Sequence, residues 1–182
     1  AKNEQAEQQA TRIQELISDY AKAMANDNAT MQAIKTYFNK PTDQEPLSIL
    51  PFSSVQKFSS VTFADGVYVL GAPEMVLRER FETVKNEFNQ YADQGYRVLV
   101  FGSYQGILSE ALLEAEVIPL AYLLIANPIR KEAPDTFAYF KEQGVAIKVI
   151  SGDNPQTVST VALQAGIANA DQYIDVSQLA EE

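Results

Sequence analysis

The sequence predicts an α+β fold, in which an antiparallel sheet with helical hairpins is followed by a shorter, incomplete α/β segment. Three patterns predict it. The chain opens with apolar residues at helical spacing, residues 57–70 carry the alternation and turn of a β-hairpin, and residues 120–166 alternate between strand and helix patterns. We therefore expect a first domain at 1–120 and a partial second domain at 121–182.

The opening segment predicts a helical hairpin. Apolar side chains recur at helical spacing through residues 3–25. Asp27 and Asn28 interrupt this pattern, and either side chain is suited to cap a second helix that runs to about Phe38. Pro41 then ends that helix.

A β-hairpin follows the two helices. Lys57–Phe63 alternates and is rich in residues that favour strands, Asp65-Gly66 is a turn signal, and Val67–Leu70 resumes the strand pattern. The elements predicted after it are a helix beginning at Pro73-Glu74, a helix over Phe81–Asp93 that ends at Gly95, and a strand over Tyr96–Tyr104.

The second domain is predicted from a strand, helix, strand, helix order. That order is typical of a parallel sheet with right-handed crossovers. Gly144 and Gly166 each follow a helix pattern and end it. The four elements are a strand over Leu120–Ala126, a helix over Glu132–Gln143, a strand over Ala146–Ile150 and a helix over Pro155–Ala165.

The composition excludes several classes of chemistry. The 182 residues include 14 Lys and Arg against 24 Asp and Glu, which gives a net charge of −10, and no histidine. This average field repels a phosphate backbone, so no nucleic-acid partner is expected, although a few local cations can hold a small anion. Without cysteine or histidine, the chain has no disulfide, thiolate nucleophile, His-based triad or Cys-ligated zinc, and we expect no metal site.

No stretch approaches the roughly 20 consecutive apolar residues that a membrane-spanning helix needs. The most apolar run, Val117–Ile125, has the length of a strand, and no signal-peptide pattern opens the sequence. The composition therefore predicts a soluble cytoplasmic domain, and a loop excised from a membrane protein would have the same composition.

The most informative motif is Ile150-Ser151-Gly152-Asp153-Asn154-Pro155, where an apolar strand runs into a helix start. At the carboxyl end of a parallel strand, such a turn presents a hydroxyl, backbone N–H groups and the positive end of a helix to an anion. Ser151, Gly152 and Asp153 are therefore candidate site residues. The alternative is an ordinary loop in which Asp153 or Asn154 caps the helix.

A second group of candidate residues surrounds the β-hairpin. Phe52 and Lys57 lie five residues apart across a short turn, a spacing that allows a ring to stack on adenine and an ammonium to reach phosphates. The alternative places the ring in the core and the lysine at an exposed strand position. Gly71-Ala72 leaves room for a ligand near the backbone, or simply suits a tight turn. Arg97 can bind a phosphate bidentately, or lie at a solvated strand end.

The order and spacing of these segments resemble the P-type ATPase family. In sequence, the chain has Phe-Ser-x-x-x-Lys, Gly-Ala-Pro-Glu, Gly-x-Arg-x-Leu, x-Pro-x-Arg-Lys-Glu and Ser-Gly-Asp-Asn. The series is most similar to cation pumps related to the sarcoplasmic calcium pump, particularly their bacterial branch. The resemblance covers residues 28–167 and is most specific over 129–166.

The resemblance implies an ATP site in an N-domain-like fold. Phe52 matches the aromatic residue that stacks on adenine, and Lys57 matches the lysine that lines the same pocket. Gly71 and Ala72 match the small residues of the family's Lys-Gly-Ala-Pro-Glu motif. Arg97 matches the arginine that reaches the nucleotide phosphates.

The resemblance also implies part of a phosphorylation domain, similar to the haloacid dehalogenases. Ser151, Gly152 and Asp153 match Thr-Gly-Asp, whose hydroxyl binds the transferred phosphoryl group. Asn127–Arg130 matches the hinge motif Asp-Pro-Pro-Arg. In the intact pump, ATP with Mg2+ on its phosphates would phosphorylate an aspartate of another domain and so drive cation transport. The remaining pump domains and membrane helices would then be the partners of a monomeric, cytoplasmic segment, with a bacterial cell membrane as the expected location.

Several positions depart from the family pattern. Leu70 replaces the lysine of Lys-Gly-Ala-Pro-Glu, Asn127 replaces the hinge aspartate, and Asn28 and Met31 stand where relatives have pocket glutamates. Weak ATP binding is therefore expected. Neither Asp-Lys-Thr-Gly-Thr nor Gly-Asp-Gly-x-Asn-Asp occurs, so this chain should bind nucleotide without hydrolysing it. The transported ion cannot be read from these residues, and calcium follows from the resemblance alone.

Two other function classes remain as alternatives. A free-standing phosphatase of the haloacid-dehalogenase type would need an Asp-x-Asp nucleophile after an early strand, where this chain has a helix pattern. A non-catalytic adaptor would dock a protein partner on the acidic helical hairpin, which leaves the ordered series of motifs unexplained.

Overall fold

The computed structural model describes residues 2–25, 28–107, 113–126 and 129–175. Asp27, Asn127 and Pro128, which the sequence analysis named, lie outside the described residues. None of the helices within the described ranges has both the length and the apolar character that a membrane crossing needs. The elements are α1 (Lys2–Ala23), α2 (Ala29–Tyr37), β1 (Ser48–Leu50), β2 (Phe58–Phe63), β3 (Gly66–Gly71), α3 (Pro73–Leu77), a 3-10 turn (Arg78–Arg80), α4 (Phe81–Asp93), β4 (Tyr96–Tyr104), β5 (Val117–Ala126), α5 (Ala133–Glu142) and α6 (Pro155–Gln164).

The chain divides into two compact units. The first comprises Ala1–Thr83 and Val98–Ile125, and the second comprises Val84–Arg97 and Ala126–Glu182. The assignment of residues 1–120 to a nucleotide-binding domain and of the remainder to a phosphorylation domain stays a prediction.

The predicted helical hairpin is confirmed in the first unit. α1 contacts α2, and α2 begins at Asn28, whose side-chain oxygen accepts a hydrogen bond from the Met31 amide at 2.9 Å. Only the second half of α1 is buried, because its apolar residues begin at Ile13, whereas residues 4–12 are exposed. The helices pack on one face of the sheet in an apolar cluster that includes Leu16, Ile17, Tyr20, Met24, Met31, Ile34, Val61, Phe63, Leu70 and Phe101.

Five strands form one antiparallel sheet in the order of the sequence, which confirms the predicted sheet type. The predicted hairpin forms between β2 and β3, where Phe63 lies opposite Gly66 at the turn. β3 also pairs with β4, and Leu70 lies opposite Phe101. The edge strand β1 was not predicted. It is three residues long, and its register against β2 places Ile49 opposite Val61.

Aromatic side chains fill the centre of this cluster. The rings of Tyr20 and Phe101 meet edge to face with centroids 5.4 Å apart, and Tyr68 stacks on Phe101 at 6.0 Å. The Tyr20 hydroxyl is fully buried and lies 2.9 Å from the Ser59 hydroxyl. Burial raises the pKa of Tyr20, because the ionised phenolate would lose its hydration, and the hydrogen bond with Ser59 offsets part of that shift.

The opposite face of the sheet is buried as well. Phe58, Val69 and Val100 have exposures of 3% or less, and the short helix α3 contacts β3. Because both faces of the central strands are covered, β3 and β4 contain the continuous apolar runs Val67–Leu70 and Val98–Phe101 instead of a strict alternation.

The second unit contains α5, α6 and all of α4 except its first three residues. α6 is anchored near the start of β4, since the Thr157 hydroxyl donates to the Tyr96 carbonyl at 3.5 Å. Gly95 has φ +81 and Gly166 has φ +87, the left-handed conformation expected of a residue that ends a helix. The predicted helices at Phe81–Asp93, Glu132–Gln143 and Pro155–Ala165 are confirmed to within one residue at each end.

The predicted strand at Ala146–Ile150 is wrong. These residues form no strand, and Ile150 is 98% exposed. The alternation of apolar residues indicates a tendency toward extended backbone, but a strand also needs a neighbour with which to exchange hydrogen bonds. Residues 129–175 contain no strand, and the strand predicted at Leu120–Ala126 belongs to the antiparallel sheet as β5, so no parallel pairing occurs among the described residues.

Candidate functional site

Phe52 lies in the turn that joins β1 to β2. The turn is closed by a hydrogen bond of 2.7 Å from the Lys57 amide to the Ser53 carbonyl. The Ser53 hydroxyl stabilises it further by accepting hydrogen bonds from the amides of Val55 and Gln56 at 3.3 and 3.4 Å. The ring of Phe52 is 41% exposed, which rules out the core position considered as the alternative. An exposed ring on a braced turn is available for stacking.

Lys57 ends the same turn in an unusual backbone conformation. Its φ of +54 is in the left-handed region, which few residues with a Cβ adopt. Its carbonyl accepts a 2.9 Å hydrogen bond from the Ala72 amide, so the backbone is held at both ends. The ammonium nitrogen lies 3.7 Å from a carboxylate oxygen of Glu74, and both side chains are 45% exposed.

Gly71 and Ala72 lie beside Lys57, as their predicted roles require, but the protein itself occupies the space at Gly71. A Cβ at that position would be 2.4 Å from the Cβ of Phe58 and 2.6 Å from the Lys57 carbonyl oxygen. Glycine is therefore needed for the close approach of β2 and β3. Ala72 precedes α3, and its carbonyl accepts hydrogen bonds from the amides of Met75 and Val76. A ligand-binding role for either residue stays a prediction.

Leu70 occupies the position at which the family motif has lysine, and its side chain is part of the core. It is 4% exposed and belongs to the cluster between the helices and the sheet, as does Met31. At these two positions the chain has apolar packing in place of charged side chains. Asn28, another of the departures, caps α2.

Arg97 and Asp153 are brought together in the second unit. A guanidinium nitrogen of Arg97 lies 3.3 Å from a carboxylate oxygen of Asp153, and the two side chains are 40% and 45% exposed. Arg97 is the second residue of β4 and Asp153 lies in the turn before α6, which the bond between Thr157 and Tyr96 holds close to β4. Phe52 and Lys57 belong to the first unit, whereas Arg97 and the Ser151 turn belong to the second.

The Ser151 turn is open to solvent. The Ser151 hydroxyl accepts a 3.1 Å hydrogen bond from the Asp153 amide, and no atom lies within 4 Å of a Cβ placed on Gly152. The side chain of Asn154 caps α6 by accepting a hydrogen bond from the Thr157 amide at 3.1 Å. Of the two residues considered as the cap of this helix, Asp153 and Asn154, it is therefore Asn154 that forms the cap. The cap leaves the serine hydroxyl and the glycine exposed, so an anion can approach them.

The described residues do not fit a resident magnesium ion. Within the described ranges, no three acidic, histidine or cysteine side chains are grouped so that they could hold a metal ion. The carboxylate of Asp153, in the Ser151 turn, faces a guanidinium. The contact of Glu74 with Lys57 was not predicted, because Glu74 was considered only as a residue that begins a helix. Its position in Gly-Ala-Pro-Glu, three residues after Gly71, was the signal that could have identified it.

Comparison with known proteins relates this chain to ion pumps. No family model matches it. The chain is 35% identical over 173 residues, 93% of its length, to a probable cation-transporting ATPase of Streptococcus pneumoniae. It is 33% identical over 156 residues, 85% of its length, to a calcium-transporting ATPase of Mycobacterium tuberculosis. A probable cation-transporting ATPase of Mus musculus is 34% identical over 62% of the chain.

These matches cover most of this chain but only part of each relative. The aligned segment amounts to 22% of the Streptococcus pneumoniae protein and 19% of the Mycobacterium tuberculosis protein, so the chain spans about a fifth of their length. Bacterial and mammalian relatives carry the same description as cation-transporting ATPases. By this homology the chain belongs to the cation-transporting P-type ATPases, as a segment about one fifth as long as those relatives.

Proposed function

We propose that this chain is the ATP-binding cytoplasmic segment of a pump that couples ATP hydrolysis to cation transport across a membrane. In this proposal Phe52 stacks on the adenine, Lys57 and Arg97 bind phosphates, and the Ser151 hydroxyl binds the phosphoryl group that is transferred to an aspartate elsewhere in the pump. The relatives described as cation-transporting ATPases support this function for the whole protein.

The contact between Arg97 and Asp153 is the observation that carries the proposal. The sequence named these residues in two separate motifs, one for the nucleotide phosphates and one for the transferred phosphoryl group. Their side chains meet at 3.3 Å, and Ser151 lies two residues from Asp153. Arg97 has planar donors that fit the oxygens of a phosphate, and its partner Asp153 belongs to the same exposed turn as Ser151 and Gly152.

The adenine side of the site is supported by the turn between β1 and β2. The ring of Phe52 is partly exposed, and the turn that carries it is held by backbone hydrogen bonds. A ring carried by a backbone that is already held in place loses less conformational freedom when a base stacks on it than a ring on a mobile loop. With Leu70 packed in the core, one family cation is missing, so the proposed affinity for ATP is in the millimolar range.

We propose that the segment binds ATP without hydrolysing it. Hydrolysis by this mechanism needs a nucleophilic carboxylate and a metal placed together. The sequence has no Asp-Lys-Thr-Gly-Thr, and the described carboxylates do not form a metal site. Magnesium would therefore arrive bound to the phosphates of ATP and not to carboxylates of this segment.

The surface of the second unit supports other pump domains as partners. Val149 and Ile150 are 50% and 98% exposed, and α5 has no buried residue. Large apolar side chains left in water favour association with another surface. A haloacid-dehalogenase-like sheet, supplied with strands from elsewhere in the pump, would give residues 146–150 the neighbours that they lack here.

An ATP titration followed by backbone amide NMR tests the proposal. Millimolar ATP should shift amides in the turn of Phe52 and Lys57 and in the turn of Ser151. Lys57→Ala should weaken binding about fivefold, because it removes one solvent-accessible charge from a phosphate, and Phe52→Ala should weaken adenosine binding as well. No inorganic phosphate should be released.

Two ion pairs of the first unit provide matched controls. Lys22 pairs with Asp43, and Arg80 pairs with Glu116. Arg97→Ala, like Lys57→Ala, should weaken ATP binding, because it removes a charge proposed to bind the phosphates. Lys22→Ala and Arg80→Ala are their matched controls: each removes a cation that lies in an ion pair elsewhere, and ATP binding should not change in either control. No amide shifts at millimolar ATP would overturn the proposal and favour an adaptor. Hydrolysis of a phosphate ester with magnesium would favour a phosphatase.

A further inference from the structure

Lys57, whose ammonium is proposed to bind the nucleotide phosphates, forms an ion pair with Glu74. The nitrogen and the carboxylate oxygen are 3.7 Å apart, and each side chain is 45% exposed. A pair of this length in contact with water is weak, so a stronger anion can displace the carboxylate. The pair is therefore reversible.

The backbone keeps the two partners close whether or not they are paired. The Ala72 amide donates to the Lys57 carbonyl at 2.9 Å, and Glu74 lies two residues after Ala72 in the first turn of α3. The Lys57 amide is bound to Ser53. The ammonium therefore has Glu74 within reach of its side chain in every state in which this turn is folded.

Lys57 has a backbone conformation that is uncommon for a residue with a side chain. With φ +54, the backbone is in a region that glycine adopts without strain and that a lysine adopts at a cost. Residues in such conformations persist only where the surrounding structure fixes them, and they cluster at ligand-binding sites. Among the residues that the structure describes, the Lys57 ammonium forms an ion pair with the Glu74 carboxylate.

We propose that Glu74 lowers the ATP affinity of this chain by competing with the nucleotide phosphates for Lys57. This inference rests on the proposed function. When phosphate displaces the carboxylate, Glu74 stays beside the bound polyanion and repels it. The effect should therefore increase with the charge of the ligand, from adenosine, where it is absent, through AMP and ADP to ATP.

Affinity measurements on Glu74 variants test the competition. Glu74→Gln should tighten ATP binding about two- to fivefold and leave adenosine binding unchanged, since it removes a charge and keeps the shape. Glu74→Asp, which keeps the charge, should bind ATP within about twofold of the wild type. In a Lys57→Gln background, Glu74→Gln should give a smaller gain, because only the repulsion remains. Glu79→Gln removes a nearby charge from the same unit and should have no effect.

The ion pair itself has an independent readout. With 13C-labelled lysine, the Cε resonance of Lys57 should move when Glu74 is changed to Gln in the absence of ATP, and should not move in Glu79→Gln. An unmoved Lys57 resonance would overturn the inference without any ligand being added.

The failures of the two proposals can be distinguished. If wild-type chain and Glu74→Gln both fail to bind ATP, the proposed function and this inference fall together. If ATP binds and Lys57→Ala weakens it, while Glu74→Gln binds no more tightly than the wild type, the competition is refuted and the nucleotide site stands. An equal gain from Glu74→Gln and Glu79→Gln would also refute it, because net charge would then explain the change.

Discussion

Gly71→Ala should destabilise the first unit although it adds a single methyl group. The added carbon would lie 2.4 Å from the Cβ of Phe58, 2.7 Å from its Cα and 2.6 Å from the Lys57 carbonyl oxygen. All three distances are far below van der Waals contact. Two of the three obstructing atoms are backbone, so no side-chain rotation can relieve the clash, and β2 must move away from β3.

The expected loss is about 2 kcal/mol in the free energy of unfolding. Inserting a carbon into a filled space costs typically about 1–3 kcal/mol, and an obstacle made of backbone places this site in the upper part of that range. A gain of about 0.4–1 kcal/mol offsets it, because alanine restricts the unfolded chain more than glycine does. With a urea dependence of about 2 kcal/mol per molar, the midpoint should fall by about 1 M.

Urea unfolding followed by the near-ultraviolet circular dichroism of the tyrosines measures this change. Gly152→Ala is the matched control, since no atom lies within 4 Å of its added Cβ, and it should leave the midpoint unchanged or raise it slightly. A Gly71→Ala variant as stable as the wild type would refute the argument that β2 and β3 approach too closely for a side chain.

Three further changes have expected outcomes. Tyr20→Phe should lower the unfolding free energy by about 1 kcal/mol, because the hydroxyl bound to Ser59 is lost. The raised pKa of Tyr20 means that unfolded tyrosine ionises first, so wild-type stability should fall above about pH 10, and urea titrations should show a shallower fall in Tyr20→Phe. Asn28→Ala should cost about 1 kcal/mol by removing the cap bound to Met31, measured as a lower urea midpoint. Lys57→Gly should leave the thermal midpoint close to that of the wild type, because relief of a conformation that costs about 1 kcal/mol is offset by the greater freedom of glycine in the unfolded chain, and it should weaken ATP binding as Lys57→Ala does.

The sequence predicted well those elements that local signals define. The helix Phe81–Asp93 and the strand Tyr96–Tyr104 have the predicted ends. Gly95, in the left-handed conformation, ends the helix, and the strand begins at the next residue. The turn signal at Asp65-Gly66 located the β2–β3 hairpin to within one residue, since the turn consists of Ala64 and Asp65, and Gly66 begins β3. Each of these boundaries depends on a residue within a few positions of it.

The errors concern strands whose formation depends on distant partners. Ala146–Ile150 has a strand-like composition and no strand beside it, so its backbone stays irregular. Ser48–Leu50 is too short to show an alternation, yet β2 is available to pair with it. In both cases the deciding quantity is the presence of a neighbour, which composition does not encode.

The sequence also named the candidate site residues without their contacts. Lys57, Arg97 and Asp153 were all identified as candidates. The ion pair between Arg97 and Asp153 was not predicted, and neither was the ion pair between Lys57 and Glu74. These pairs join residues from different elements, and only the packing of those elements determines the distances. Their functional roles stay predictions until ligand binding is measured.

The position of β3 has a consequence for the exchange of amide hydrogens with solvent. β3 is paired with β2 on one side and β4 on the other, and Tyr68, Val69 and Leu70 are buried on its two faces. Water can reach these amides only when the neighbouring strands separate. In deuterated buffer, their protons should persist longest in the first unit, with protection factors set by its global unfolding and not by local fluctuation.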